Sequence, residues 1–332
     1  MKKILHIMCL AALLVSCGGP AKPLLPSVSG KAGEIVVVMD KSAWEGNLGV
    51  QTRELLASDC PYLAQKEPLY SLVAIVPSNF TKLFQVHRNI LIFRIDPQVQ
   101  TEGVVYRSDV WSQPQCVVQI SASSEERAME ILSESGATVV SAVEQAERDR
   151  VIANSKRYEE RSLASTVTSI FGGSPHFPSG YKLKKAGSDF VWIADEKQFV
   201  NQGVFVYRYP AAGDESDFSL DNILAHRNEI MRLQVPGMFE NTYMTTATVF
   251  PPTIEYLKYK GRSFAQVRGF WEVYNDFMGG PFVSHSFYSE DGTQVVVLEA
   301  FVYAPKYDKR QYLRQVESIL YSFEWKGDEG MK

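Results

Sequence analysis

The sequence predicts an α+β protein of two units, each a largely antiparallel sheet flanked by helices, joined by a long helical stretch. Three observations carry this. Short β-branched and aromatic runs recur between Gly and Pro punctuation in both halves. Segments of helical period follow capping sequences. Glu290-Asp291-Gly292 stands between two strand-like runs as a hairpin turn. With 332 residues, 45% hydrophobic and 22% charged, the chain is globular and longer than one ordinary domain.

In the N-terminal half, Glu34-Ile35-Val36-Val37-Val38-Met39 is a β-branched run ended by Asp40 and reads as a buried strand. Residues 42–57 read as helix, with Ser42 and Glu45 in capping-box spacing. Strands are expected at 72–76, 89–95, 104–111 and 116–120, punctuated by Pro77, Pro97 and Pro114. A short helix over 78–86 would carry Phe80, Leu83 and Phe84 on one side. Ser123-Ser124-Glu125-Glu126 opens a helix that Gly136 should interrupt and that then resumes to about residue 170. Its segment EQAERDRVIANSKRYEER (144–161) mixes charges at i,i+4, which predicts a solvated helix. Gly172-Gly173 stops it, and the loop 175–180 divides a unit at 33–172 from one at 173–326.

The C-terminal half should hold strands at 189–193, 203–209, 243–250, 253–259, 263–274, 282–288 and 295–303. Strands joined by hairpins run antiparallel. Helices are expected at 219–233, stopped by Pro236-Gly237, and at 308–321. In the second, Tyr312, Val316, Ile319 and Phe323 keep the spacing of a helix laid on a sheet.

The N-terminus carries a different message. Lys2 and Lys3 precede a twelve-residue apolar run, 4–15, then Ser16 and Cys17. As a helix that run covers about 18 Å, short of the ~30 Å hydrocarbon core, so it reads as an export signal and not as a span. Leu14-Val15-Ser16-Cys17 resembles the bacterial lipobox. The resemblance implies cleavage before Cys17, diacylglycerol transfer to its thiol and N-acylation with a fatty acid such as palmitate, the membrane being held through that anchor. Residues 17–32, rich in Gly, Pro and Ser, would be a flexible tether. No acidic run follows Cys17, which places the expected protein in the cell envelope, on the periplasmic face of the outer membrane. No later stretch reaches 18 apolar residues.

A net charge of −4 offers no basic footprint for nucleic acid. Cys60 and Cys116 are either one disulfide in an oxidising compartment or two buried free thiols. The strand–helix opening and the closing run DGTQVVVLEAFVYAPKYDKRQYLRQVESILYSFEW resemble the Bacteroidota lipoprotein family catalogued as domain of unknown function 4837, over about residues 30 to 325. That family brings no activity and no site residues. The closing hairpin, helix and Ser-Phe strand are similar in order to the PsbP-like fold, a non-catalytic α/β/α sandwich.

The search for chemistry returns little. There is no Gly-x-Ser-x-Gly elbow, His-Glu-x-x-His or P-loop, so no cofactor or metal is expected. His226 and Glu229 supply half of a bundle metal site. His285 shares a strand face with Val283 and Phe287 and reads as a core histidine. Asp214, Glu215, Asp217 and Asp221 lack the glycine of a calcium loop and read as a turn before an N-cap at Ser219 or Asp221. The most unusual stretch is 268–282. Alternation puts Arg268, Phe270, Glu272 and Tyr274 on one face and Trp271 and Val273 on the other. Either both faces are covered, as in a sandwich, or Arg268, Phe270, Trp271, Glu272 and Tyr274 form a binding surface for glycan or peptide. The expectation is a non-catalytic envelope protein that binds or scaffolds a protein or glycan partner. The alternative is a periplasmic hydrolase using Glu272 and Asp276.

Overall fold

The computed structural model describes residues 24–327; the expected export signal, Cys17 and residues 328–332 lie outside them. β1 (Glu34–Val38) is buried along almost its whole length, as an apolar run in a sheet covered on both faces must be. The single helix expected over 42–57 breaks at Gly46 into α1 (Lys41–Glu45) and α2 (Asn47–Leu56). Asp40 precedes α1 and makes no side-chain cap, so the Ser42–Glu45 capping box does not form. β2 (Ser71–Ile75), a tight turn at Pro77–Asn79, α3 (Lys82–Gln85), β3 (Asn89–Ile95), β4 (Gly103–Ser108) and β5 (Cys116–Ala122) complete the sheet.

Its order is β2-β1-β3-β5-β4. Here the largely antiparallel expectation needs correcting. β2, β1, β3 and β5 run parallel, and only β4 opposes its neighbour. The connections explain it, because helical and turn crossovers return the chain to the end from which the last strand began. One face packs under α2 and the first half of α4 (Glu125–Arg157). The other face, with Val36, Val38, Ile75, Ile90 and Val117, lies beneath the 77–86 segment and Val110–Trp111.

α4 runs unbroken through Gly136. A Cβ at that position would lie 3.0 and 3.1 Å from the Leu55 methyls, so the glycine lets α2 and α4 close instead of ending the helix. Ser124 caps α4, accepting from the Arg127 N–H at 3.2 Å. The break falls at Tyr158–Glu160. α5 (Arg161–Phe171) follows and ends on left-handed Gly172. Leu163, Val167 and Phe171 of α5 belong to the C-terminal core, so packing divides the chain near 158–160 and not at 172.

β6 (Gly173–Ser174) pairs with β15 (Glu324–Trp325). The large sheet contains β7 (Lys182–Ala186), β8 (Phe190–Lys197), β9 (Val200–Pro210), β10 (Met244–Thr246), β11 (Thr253–Tyr259), β12 (Arg262–Val273), β13 (Gly279–Tyr288) and β14 (Gln294–Tyr303). It is antiparallel throughout, in the order β10-β12-β13-β14-β9-β8-β7, with β11 beside β12. β7 was not expected; its KLKKA is wholly exposed, a lysine-guarded edge. α6 (Leu220–Gln234) packs on one face and α7 (Arg310–Tyr321) on the other. The α+β class stands, and α7 lies against α4 where the units meet.

Candidate functional site

The charged half of α4 is solvated on one side only, with Asp149, Asn154 and Arg157 exposed and Glu147 and Ser155 buried. It forms the seam between the units, and its carboxylates meet cations brought by distant segments. Glu147 is 1% exposed. It lies 3.0 Å from Arg88 Nε and 3.0 Å from Arg150 Nη1, and accepts from Asn89 Nδ2 at 2.7 Å. Arg150 spends its other donors on the Arg88 and Pro114 carbonyls, at 2.7 and 3.0 Å. One turn earlier, Glu144 accepts from Arg314 Nη2 at 2.6 Å, Arg314 Nε at 3.1 Å and the Tyr70 hydroxyl at 2.6 Å. Burial works against the Glu144 carboxylate, but the Arg314 guanidinium and the hydrogen bonds outweigh it and hold its pKa below the ordinary value. From the 58–68 loop, Glu67 caps α7, accepting from the Lys309 and Arg310 N–H groups at 2.7 and 2.8 Å. Gln311 donates to the Ala32 carbonyl at 2.6 Å.

Between these anchors lies a cavity of about 380 Å3, walled by Arg88, Arg150, Arg314, Lys197, Gln202 and Gln315 among others. Arg314 Nη1 and Gln311 Oε1 are buried without a hydrogen-bond partner among the described residues. Gly33, at φ +69, makes the room: a Cβ there would stand 2.7 Å from Arg314 Nη1. The wall is therefore rich in guanidinium and carboxamide groups, with Arg88 and Arg150 on Glu147, Arg314 on Glu144 and Lys197 2.8 Å from Asp195. A larger cavity of about 620 Å3 lies between the end of α4, the β11–β12 hairpin and β15. Its Lys156 is paired with Glu324, and its Arg262 donates to the Phe323 carbonyl at 3.0 Å, so those cations serve the fold.

The sequence-predicted residues fall elsewhere. The aromatic strand is β12, and the sandwich alternative holds: α6 and α7 cover the two faces of its sheet. Trp271, 2% exposed, donates to the Val302 carbonyl at 3.3 Å and packs edge-on to Phe301. Phe270 is buried against Phe250. Arg268 pairs with Glu317 of α7, and Glu272 is half-buried. Only Tyr274 is open, stacked on Tyr243. The five residues do not form a surface. Nor do Glu272 and Asp276 form a buried acid pair; the Asp276 carboxylate accepts from the Phe277 N–H at 2.6 Å.

Cys60 and Cys116 are free thiols, and burial pushes the pKa of each up to about 11. His226 stacks on Tyr209 at 3.9 Å. His285 is sealed between Phe264 and Tyr321, as its strand spacing suggested, and burial keeps its pKa well below the ordinary value. Asp217 is buried, accepting from the Ala212 and Gly213 N–H groups at 2.8 Å, while Ser219 caps α6. Among the described residues no helix is long and apolar enough to cross a membrane, and no three His, Cys, Asp or Glu side chains gather as a metal site.

Comparison with known proteins separates the same two units. Residues 160–322 match the model of a family described as Domain of unknown function (DUF4837), and residues 28–156 match another, Domain of unknown function (DUF8532). The first resemblance thus covers the C-terminal half and not the span from about 30 to 325. No curated protein matches. Among solved structures, the Saccharomyces cerevisiae Ran-binding protein Mog1p is similar at 8% identity and a TM-score of 0.31, covering 46% of this chain and 90% of that one. The lipid transfer and protein localization domain of human StarD13 is similar at 11% identity and a TM-score of 0.23, covering 49% and 95%. A protein from Bacteroides thetaiotaomicron reaches 10% identity and a TM-score of 0.21, covering 48% and 47%.

Proposed function

We propose, from the premise that this chain belongs through residues 160–322 to the family described as Domain of unknown function (DUF4837), that it is a lipid-anchored, non-catalytic binding protein of the cell envelope. Its ligand carries a carboxylate or phosphate and enters the cleft between the units. The observation that carries this is the convergence of Arg88, Arg150 and Arg314 with Lys197 on a cavity where Arg314 Nη1 has no hydrogen-bond partner among the described residues. Glu147 and Asp195 are the acids on its wall, and a ligand anion would share Arg88 and Arg150 with the first and Lys197 with the second. Pockets between domains, with a few convergent polar groups, are where ligands commonly bind. Binding without turnover is supported by the way the histidines are engaged. His87 is held by Glu34 and the Asn89 carbonyl, His176 by Glu159 and Glu324, and His226 and His285 by aromatic rings. Cys17, outside the described residues, supplies the anchor, with the periplasmic face of the outer membrane as the site.

Two measurements test the parts separately. Mass spectrometry of the exported protein should find Cys17 acylated, and Cys17→Ser should leave the membrane fraction; an unmodified terminus would refute the anchor. For the cleft, thermal unfolding is followed in inorganic phosphate, glucuronate and chloride at one ionic strength. A bound anion at ten times its Kd stabilises by about 1.4 kcal/mol, and Lys197→Glu should reduce that gain. Identical midpoints in all three salts would exclude the cleft.

A further inference from the structure

The face that meets the bilayer follows from where the chain enters the fold. We infer that the surface built from residues 24–29, 80–86 and 110–113 lies against the membrane. Leu24, Leu83, Phe80 and Trp111 sit at the acyl–headgroup boundary, and Lys31 and Lys82 lie on anionic headgroups. This rests on the acylation of Cys17 proposed above.

The leash is short. Six residues, 18–23, separate Cys17 from Leu24; at no more than ~3.5 Å per residue the step from Cys17 to Leu24 spans at most about 25 Å. The tether expected to reach residue 32 is pinned well before that. The Gln113 N–H donates to the Pro26 carbonyl at 2.9 Å, the Ser29 N–H to the Val86 carbonyl at 2.8 Å, and the Arg88 N–H to the Ser29 carbonyl at 3.0 Å. A body of roughly 300 residues has a radius of gyration near 19 Å and is about 50 Å across. A leash half that length brings only the pinned side to the lipid.

That side has the composition of a membrane-resting surface. Leu24 is 96% and Leu83 73% exposed. Phe80, Phe84, Val110 and Trp111 are half-buried around them, with Phe80 edge-on to Trp111 at 5.5 Å. The three segments are tied together, since Ser112 Oγ donates to the Val86 carbonyl at 3.1 Å and Gln115 Nε2 to the Gln85 carbonyl at 2.7 Å. The whole chain carries −4, yet Lys31 and Lys82 are exposed on or beside these segments, with Glu34 held behind His87. Apolar side chains at the interface plus cations on anionic lipid are the two terms of peripheral membrane binding. Elsewhere, Val50, Val105 and Tyr106 are less exposed in the N-terminal unit, and Leu233, Met238, Phe239, Val249 and Phe277 are exposed in the C-terminal unit.

The test uses full-length acylated protein in vesicles of phosphatidylethanolamine and phosphatidylglycerol, with Cys60 and Cys116 replaced by serine. An environment-sensitive fluorophore is placed at Leu83→Cys or, for comparison, at Phe277→Cys, both exposed enough to leave the core intact. We expect a blue shift, with at least twofold quenching by brominated lipid, at 83 and not at 277. Vesicle-bound protein with an unshifted label at 83, or with the shift at 277 instead, overturns the orientation while leaving the anchor standing. Protein that does not sediment with vesicles overturns the anchor, and this inference with it.

Discussion

Two buried ion pairs in this protein look alike and behave differently. In the C-terminal sheet, Arg227 and Glu299 are wholly sealed; Arg227 Nη2 lies 2.7 Å from Glu299 Oε1. Every group there is occupied. Arg227 Nε donates to both carboxylate oxygens, Nη1 to Thr246 at 2.9 Å, Tyr207 donates to Glu299 at 3.2 Å, and the guanidinium rests on the Phe282 ring. At the seam, Arg314 and Glu144 pair as tightly, but Arg314 Nη1 is buried without a hydrogen-bond partner among the described residues, and Arg314 lines a cavity. A buried charge with all its bonds filled specifies a structure; one with a donor left over on a cleft has capacity for a guest.

The comparison can be broken by mutation. Glu299→Ala leaves a sealed guanidinium without its carboxylate and should cost about 3–5 kcal/mol in urea unfolding; Arg227→Met with Glu299→Leu should recover most of that. A single Glu299→Ala costing less than ~1 kcal/mol would mean water reaches the pair. Arg314→Gln at the seam should cost less, roughly 2–3 kcal/mol, since solvent in the cleft relieves part of the loss. It should also loosen the α4–α7 contact, which amide hydrogen exchange would detect as faster exchange in both helices with the two sheets unchanged.

Acid sharpens the contrast further. His285 is buried and neutral, its pKa depressed first by burial and then by Arg262, Arg268 and Arg148. Below the ordinary histidine value of ~6.5 the unfolded chain takes up a proton that the folded chain refuses, so stability falls by about 1.4 kcal/mol per pH unit. His285→Phe should remove that slope between about pH 6.5 and 5. Glu144 acts lower on the scale. Its folded pKa lies below the ordinary carboxylate value, so its contribution is complete above that value and is lost as pH drops through the folded one. Glu144→Gln should flatten the stability profile only there, a smaller effect because Arg314 keeps part of its hydrogen bonding. A wild-type profile flat from pH 7 to about 5 would contradict the His285 account.

Much of the architecture was legible locally. β3 and β11 fall where the β-branched runs put them, and the hairpin at 290–292 joins β13 to β14 antiparallel as its turn residues require. Strand direction in the first sheet was not legible, because parallel pairing is decided by crossovers that leave no mark on a strand's own residues. Gly136 misled for a related reason. A glycine that breaks an isolated helix also permits close helix packing, and Leu55, which tells the two apart, is far away in sequence. The seam was missed as well. Glu144, Glu147 and Arg150 read as ordinary solvent-side charges, and their only local mark is the i, i+3 spacing that sets them on one side of α4.

By itself, then, the sequence determined the order and type of most elements and the lack of a familiar catalytic motif, and it carries the expectation of an export signal ending at Cys17, since each is written in neighbouring residues. The tertiary structure alone decided that an aromatic strand is core and a charged helix is a seam, and that the chain joins the body at a patch of Leu83 and Trp111. Burial depends on what packs against a side chain, and here the packing partners stand scores of positions away along the chain.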